Sequence, residues 1–168
     1  MNEFQESLQE LLIENNLNYT SLARIIDVSI DTISSYFVDG FCPTLEVSLK
    51  LSKYFKCSLD FLFGLSEDRC SEYDIKVENA NNNFVRNVAR IIKLQNKSVA
   101  QVMRDIGIRE NAYYRWQKGV KPRMSNIIVI SKYLEVSIDY LLGNDKDEWN
   151  LSQDYCFIWI LVLYCKCR

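Results

Sequence analysis

The chain has 168 residues, which suits one or two small domains. Its composition, 48% apolar and 25% charged, is ordinary for a globular protein, and the net charge of −2 says little alone because the charge is unevenly distributed. Histidine is absent, so the commonest general base and the commonest metal ligand are both missing. The six cysteines follow no regular spacing and the polar, acidic residues 1–10 do not resemble a secretory leader, so we expect reduced thiols in a cytoplasmic protein.

The first elements predicted along the chain are five short helices within residues 1–64. The first runs from Glu3 to Asn15 with leucines at helical spacing, and the third runs from Asp31 to Phe37. Asp27 lies in the turn before the third helix, where a residue that tolerates a left-handed conformation is needed. Side chains suited to begin the second to fifth helices are Asn18, Ser29, Thr44 and Ser58.

The same pattern returns later in the chain. Residues 4–64 recur as residues 84–143, with an offset of 80 up to the loop after the third helix and 79 beyond it. Tyr36 thus matches Trp116, and Asp60 matches Asp139. We therefore expect two tandem units, 1–64 and 84–143, a polar linker at 65–83, and a hinge with a short apolar tail at 144–168.

The second unit contains a clear helix, turn and helix. Ser98 can cap the first of these helices, Gly107 suits the turn, and Glu110 to Gln117 forms the second helix. Tyr113 and Trp116 are predicted to face the core. The outward side and the loop that follows carry Arg109, Asn111, Arg115, Lys118, Lys121 and Arg123.

This stretch resembles the Cro/cI family, also called the XRE or lambda-repressor-like family. The closing sequences SLDFLFG at 58–64 and SIDYLLG at 137–143 fit the family pattern. The resemblance implies an all-α protein with two tandem five-helix lambda-repressor-like helix-turn-helix domains. One departure is Arg109, which stands where the family usually has a Ser or Thr cap.

The resemblance also implies roles for the second unit. Glu110, Asn111 and Arg115 occupy the positions that contact bases, where Asn can pair with adenine, Arg with guanine, and Glu can accept from cytosine. Glu110 has an alternative reading, in which it simply repels phosphate. Contacts to DNA phosphate are expected from Ser98, Arg109, Tyr114, Lys118, Lys121 and Arg123.

Charge separates the two units. Residues 84–143 carry eleven Lys and Arg against four Asp and Glu, whereas residues 1–64 carry four against nine. A solvated surface is the alternative explanation of the basic cluster, but its position around one helix favours DNA. The outward positions of the third helix in the first unit include no basic residue, so a protein-contact or structural role is expected there: Ile30, Asp31, Ser34, Ser35 and Val38.

The apolar run Tyr155–Cys165 is too short to span a membrane. Packing at an oligomer interface or on the domains, disorder or an aberrant reading frame, and contact with a membrane or a metal all remain open for it.

No nucleophile motif or phosphate-binding glycine loop appears, so we predict a non-enzyme without cofactor or metal. The favoured function is a sequence-specific transcriptional regulator that binds double-stranded DNA, most simply a repressor. The alternative is a protein–protein adaptor or antirepressor with little DNA affinity. The expected partners besides DNA are a second copy, as a homodimer, or another protein bound by the first unit.

Overall fold

The computed structural model describes residues 2–69 and 77–143, and this part of the chain is all-α, with ten helices and no strand. The N-terminal half contains α1 (Glu3–Glu14), α2 (Tyr19–Ile25), α3 (Ile30–Val38), α4 (Leu45–Phe55) and α5 (Leu59–Leu62). The C-terminal half contains α6 (Val77–Leu94), α7 (Val99–Asp105), α8 (Glu110–Gln117), α9 (Met124–Leu134) and α10 (Ile138–Leu141). None of these helices is long and apolar enough to cross a membrane. The predicted hinge and tail at 144–168 lie outside the described residues.

The helix starts follow the local sequence signals. The predicted caps Asn18, Ser29, Thr44, Ser58 and Ser98 are confirmed, since each side chain accepts a hydrogen bond from the backbone N–H three residues later. Arg109 makes no such bond at the start of α8, as its side chain predicts. The described helices lie where the sequence predicts them, to within a few residues, except at the start of α6.

The two halves agree in the lengths of three helix pairs and in the conformation of their turns. Helices α2, α4 and α5 have seven, eleven and four residues, the same lengths as α7, α9 and α10. Left-handed residues also recur at matched positions, with Asp27 at φ 55° and Gly107 at φ 70° in the two helix–helix turns. The structure therefore carries the repeat of the sequence in its helix order and in its turns.

Helix α6 begins earlier than predicted. The sequence predicts its start at Phe84 and assigns residues 65–83 to a linker, but the helix begins at Val77. Its early turns are anchored because Ala80 is fully buried and because asparagines bond to distant carbonyl groups. These bonds run from Asn81 Nδ2 to the Trp116 carbonyl at 3.4 Å, from Asn83 Nδ2 to the Leu142 carbonyl at 3.1 Å, and from Asn87 Nδ2 to the Tyr140 carbonyl at 2.8 Å.

The halves meet where α5 packs against α10, and each supplies an aspartate to the first turn of the other. Asp139 Oδ2 accepts from the backbone N–H of Leu59 at 2.8 Å and of Asp60 at 3.4 Å. In return, Asp60 Oδ2 accepts from the N–H of Ile138 at 2.9 Å and of Asp139 at 3.3 Å. Because Asp60 and Asp139 hold the same place in the repeat, the contact is reciprocal, like the interface of a twofold-symmetric dimer.

A second reciprocal contact lies beside the first. A cavity of about 610 Å³ opens between residues 42–46 and residues 121–125, which are the same five positions of the repeat taken from each half. We call these two segments the paired loops. The buried apolar side chains of the two halves also form one contiguous cluster. The halves are therefore related by an approximate twofold axis that passes near the aspartate pair and the paired loops.

Two turn glycines allow a direct test of how closely α6 approaches the end of α10 within the C-terminal half. Gly143 has φ 104°, and an added Cβ would lie 2.9 Å from Asn83 Cβ, whereas Gly107 at φ 70° has open space around it. We expect Gly107→Ala to lower the free energy of unfolding by about 1–2 kcal/mol from backbone strain alone. Gly143→Ala should lower it by roughly 1–3 kcal/mol more, because Asn83 must also move. Urea unfolding of both variants measures the difference, and equal losses would contradict the close approach of α6 to the end of α10.

Candidate nucleic-acid interface

Helix α8 is held against the C-terminal half by its aromatic side. Tyr113 and Trp116 are buried, as predicted, and the Trp116 ring meets the Phe84 ring edge-on at 5.6 Å between centroids. The Tyr113 hydroxyl donates to the Val85 carbonyl at 3.3 Å, which ties α8 to α6 a second time. With this side buried, the opposite side of α8 must face solvent.

The structure places all nine residues of the predicted interface at the surface. The base-contact candidates Glu110, Asn111 and Arg115 lie on the exposed side of α8, with the latter two one turn apart. The phosphate candidates are also exposed, on the helix starts, on α8 and in the loop after it: Ser98, Arg109, Tyr114, Lys118, Lys121 and Arg123. We call this set the α8 face.

Within the described part of the chain, the cations of the α8 face have no acidic partner. None of its five Lys and Arg side chains forms an ion pair with another residue in the described ranges. In the N-terminal half, by contrast, Arg69 is engaged by Glu10 and Glu14 at 2.6 Å each. The α8 face therefore presents positive charge that is available to an external anion.

The start of α8 adds to this positive character. The Arg109 side chain provides no acceptor for the first-turn N–H groups of α8, and only the Ala112 N–H has a bond to the Arg109 carbonyl, at 2.8 Å. An uncapped helix start carries the positive end of the helix dipole and suits a phosphate oxygen. The departure of Arg109 from the usual cap thus adds an exposed guanidinium group at the point where α8 can bind an anion.

The corresponding surface of α3 has a different chemistry. Matched position by position, Asp31 stands for Asn111, Ser35 for Arg115, and Val38 for Lys118. Val38 is 81% exposed and the neighbouring Phe41 is 60% exposed. The Ser35 hydroxyl donates to the Thr32 carbonyl at 2.8 Å within α3. The α3 surface is therefore apolar and acidic, with no cation among the positions that match the α8 face.

Sequence reasoning missed the aspartate pair that joins the halves. Asp60 and Asp139 each follow a serine cap, and an acid there is usually read as support for its own helix. The available signal was their identical place in the two closing motifs. Among the described residues, no cluster of three side chains is suited to hold a metal ion.

Comparison with known proteins agrees with the geometry of the N-terminal half. Residues 8–62 match the family model described as helix-turn-helix, which reaches from within α1 to the end of α5. The match does not extend to α6–α10. No curated protein and no solved structure matches the chain. Residues 8–62 therefore form one helix-turn-helix domain of the Cro/cI (XRE) type, a type found in DNA-binding transcription regulators.

Proposed function

We propose that the chain is a tandem pair of Cro/cI-type helix-turn-helix domains and that it is a sequence-specific DNA-binding regulator of transcription. The C-terminal domain binds DNA through the α8 face, and the simplest regulatory action is repression by covering promoter DNA. One observation carries the proposal. The five cations of the α8 face are exposed and unpaired within the described part of the chain, whereas the matching positions of α3 hold none.

Base recognition falls to the exposed centre of α8. Asn111 can make a two-point contact with adenine, and Arg115 can do the same with the N7 and O6 atoms of guanine. Glu110 can accept a hydrogen bond from the amino group of cytosine. These three side chains lie within two turns of one helix, so they can address neighbouring base pairs in one major groove.

The remaining members of the α8 face position the helix. Lys118, Lys121 and Arg123 follow α8 and can contact phosphates on one side of the groove, while Ser98, Arg109 and Tyr114 can contact them from the helix starts and the exposed edge of α8. Such contacts hold the register of the helix and supply affinity that does not depend on sequence.

A second candidate function rests on the α3 surface. Ile30, Val38 and Phe41 are exposed on α3 and just after it, with Asp31 and Asp39 next to them in the sequence, and exposed apolar side chains are common in protein-binding surfaces. In this alternative the chain is an adaptor or antirepressor, and a partner protein binds the N-terminal domain.

The test is a salt titration of DNA binding on a preferred site, obtained by random-oligonucleotide selection, and on a scrambled duplex. Asn111→Ala and Arg115→Ala should each cost about 1–3 kcal/mol on the preferred site and much less on the scrambled one, since a base contact is lost. Lys118→Ala and Arg123→Ala should weaken both duplexes equally and reduce the slope of log affinity against log salt by about one.

The matched controls are Asp31→Ala and Ser35→Ala, which stand at the positions of Asn111 and Arg115 in the N-terminal half. Both controls should leave base preference and salt slope unchanged. If the controls alter base preference and the α8 variants do not, the DNA contact belongs to α3. If no duplex binds to any form of the chain, the adaptor function replaces the regulator.

A further inference from the structure

The reciprocal contact between the halves indicates what kind of DNA site the chain binds. This inference rests on the proposed function. In proteins with this motif, two domains related by a twofold axis place their outer helices in successive major grooves, roughly 34 Å apart. Such a pair is usually built from two chains. Here both members belong to one chain, and they differ in their outer helices.

The surface that relates the two halves is occupied within the chain. Asp60 is 8% exposed and Asp139 is 2% exposed, and Leu59 and Ile138 beside them are fully buried. The hydrogen bonds that the two carboxylates accept from the first turns of α5 and α10 run from one half to the other. A second chain therefore has no access to this surface while the halves are joined.

The α8 face reaches the twofold axis. Lys121 and Arg123 belong both to the α8 face and to the paired loops, which meet across the cavity at the axis. Because the α8 face extends to the paired loops at the axis, the surface of the protein around that end of the axis also faces DNA. The twofold mate of α8, which is α3, then lies on that same side, beyond the axis.

We propose that one chain binds one DNA site as a built-in dimer in which α8 contacts a specified half-site and α3 lies over the adjoining half-site without contacting its bases. The outward positions of α3 have no amide or guanidinium group that could make a two-point contact with adenine or guanine, and they have no cation for phosphate. The preferred DNA site is then a single short motif without an inverted repeat.

The decisive experiment gives α3 the residues of α8 in the full chain. The variant Ile30→Glu, Asp31→Asn, Ser35→Arg and Val38→Lys changes only the outward side of α3 and leaves its buried residues Ile33 and Tyr36 and its cap Ser29 in place. Random-oligonucleotide selection should return a single motif for the wild type and an inverted repeat of that motif, with one fixed spacing, for the variant. The variant should bind the inverted repeat at least roughly tenfold more tightly than the single motif.

The matched control replaces the same four residues by alanine, and it should still select the single motif. Sedimentation of the wild-type complex should give one chain per duplex, which keeps the proposal testable if the four-residue variant does not fold. An inverted repeat selected by the wild type, two chains per duplex, or a folded variant that still selects a single motif would each overturn the built-in dimer while leaving DNA binding intact. If the selection enriches no DNA sequence for the wild type or for either variant, the proposed regulatory function is wrong, and this proposal fails with it.

Discussion

Replacement of Trp116 by alanine is expected to lower the free energy of unfolding by about 3–5 kcal/mol and to abolish preference for the selected DNA site. The side chain is 4% exposed and packs edge-on against Phe84, so its removal leaves a cavity between α6 and α8. Tyr113 is then the one large buried side chain of α8. Because base contacts need α8 at a fixed angle, recognition should fail even under conditions where the variant remains folded.

Two controls accompany this variant. Trp116→Phe keeps an aromatic side chain in the same place and should retain DNA preference with a smaller loss of stability. Tyr36→Ala makes the matching cavity under α3 and should reduce stability without changing which bases are selected. Urea unfolding and DNA selection below the transition measure both quantities. Full DNA preference in folded Trp116→Ala would show that the aromatic side does not orient α8.

The second large effect is expected at the aspartate pair. Asp139→Ala removes the acceptor of two buried N–H groups, those of Leu59 and Asp60, and should lower the free energy of unfolding by roughly 2–4 kcal/mol at pH 5. Asp139→Asn keeps an oxygen acceptor and can donate to the Asp60 carboxylate. We expect its stability to be close to that of the wild type at pH 5.

The pair also predicts how stability changes with pH. Burial, and after it the charge of the neighbouring Asp60, raises the pKa of Asp139 well above its ordinary value. The folded chain therefore binds this proton more tightly than the unfolded chain. The resulting stabilisation is complete below the unfolded pKa, about 4, and is lost as the pH rises through the raised value.

Neighbouring groups do not obscure this dependence between pH 5 and pH 8. Burial raises the pKa of Cys57, next to the pair, to about 12, so this thiol stays neutral throughout. The hydrogen bond from Arg69 lowers the pKa of Glu14, so any stabilisation from that group is already complete above pH 5. Wild-type stability should thus fall from pH 5 to pH 8, and Asp139→Asn should lose less and exceed the wild type at pH 8. Parallel curves for the two proteins would rule out a raised pKa at Asp139.

Local signals in the sequence were sufficient to predict most helix starts. A serine, threonine or asparagine before an apolar run acts on the backbone three residues away, so the caps at Asn18, Ser29 and Thr44 follow from their neighbours alone. The start of α6 was not accessible in this way. Its asparagines resemble a linker in composition, and their partners, the carbonyls of Trp116, Tyr140 and Leu142, lie far along the chain.

The sequence likewise predicted one part of the site and not another. The exposure of Asn111 and Arg115 follows from helical periodicity once Tyr113 and Trp116 are assigned to the core. The contact between Asp60 and Asp139 depends instead on how the two halves are placed relative to each other, and no local pattern encodes that placement. The repeat predicted two similar units, but it did not predict that their closing motifs would bind one another.

The joining of both halves in one chain also affects the response to protein dose. Separate chains that pair through such a surface come apart on dilution, and the amount of pairs falls with the square of the chain concentration. Within one chain the two halves meet at an effective concentration on the order of millimolar, however few molecules a cell contains. On the proposed function, the occupancy of a DNA site should then rise in simple proportion to expression, without a threshold. A chain damaged in one half cannot pair with an intact chain through this surface. A defective variant should therefore have no dominant-negative effect on the intact protein.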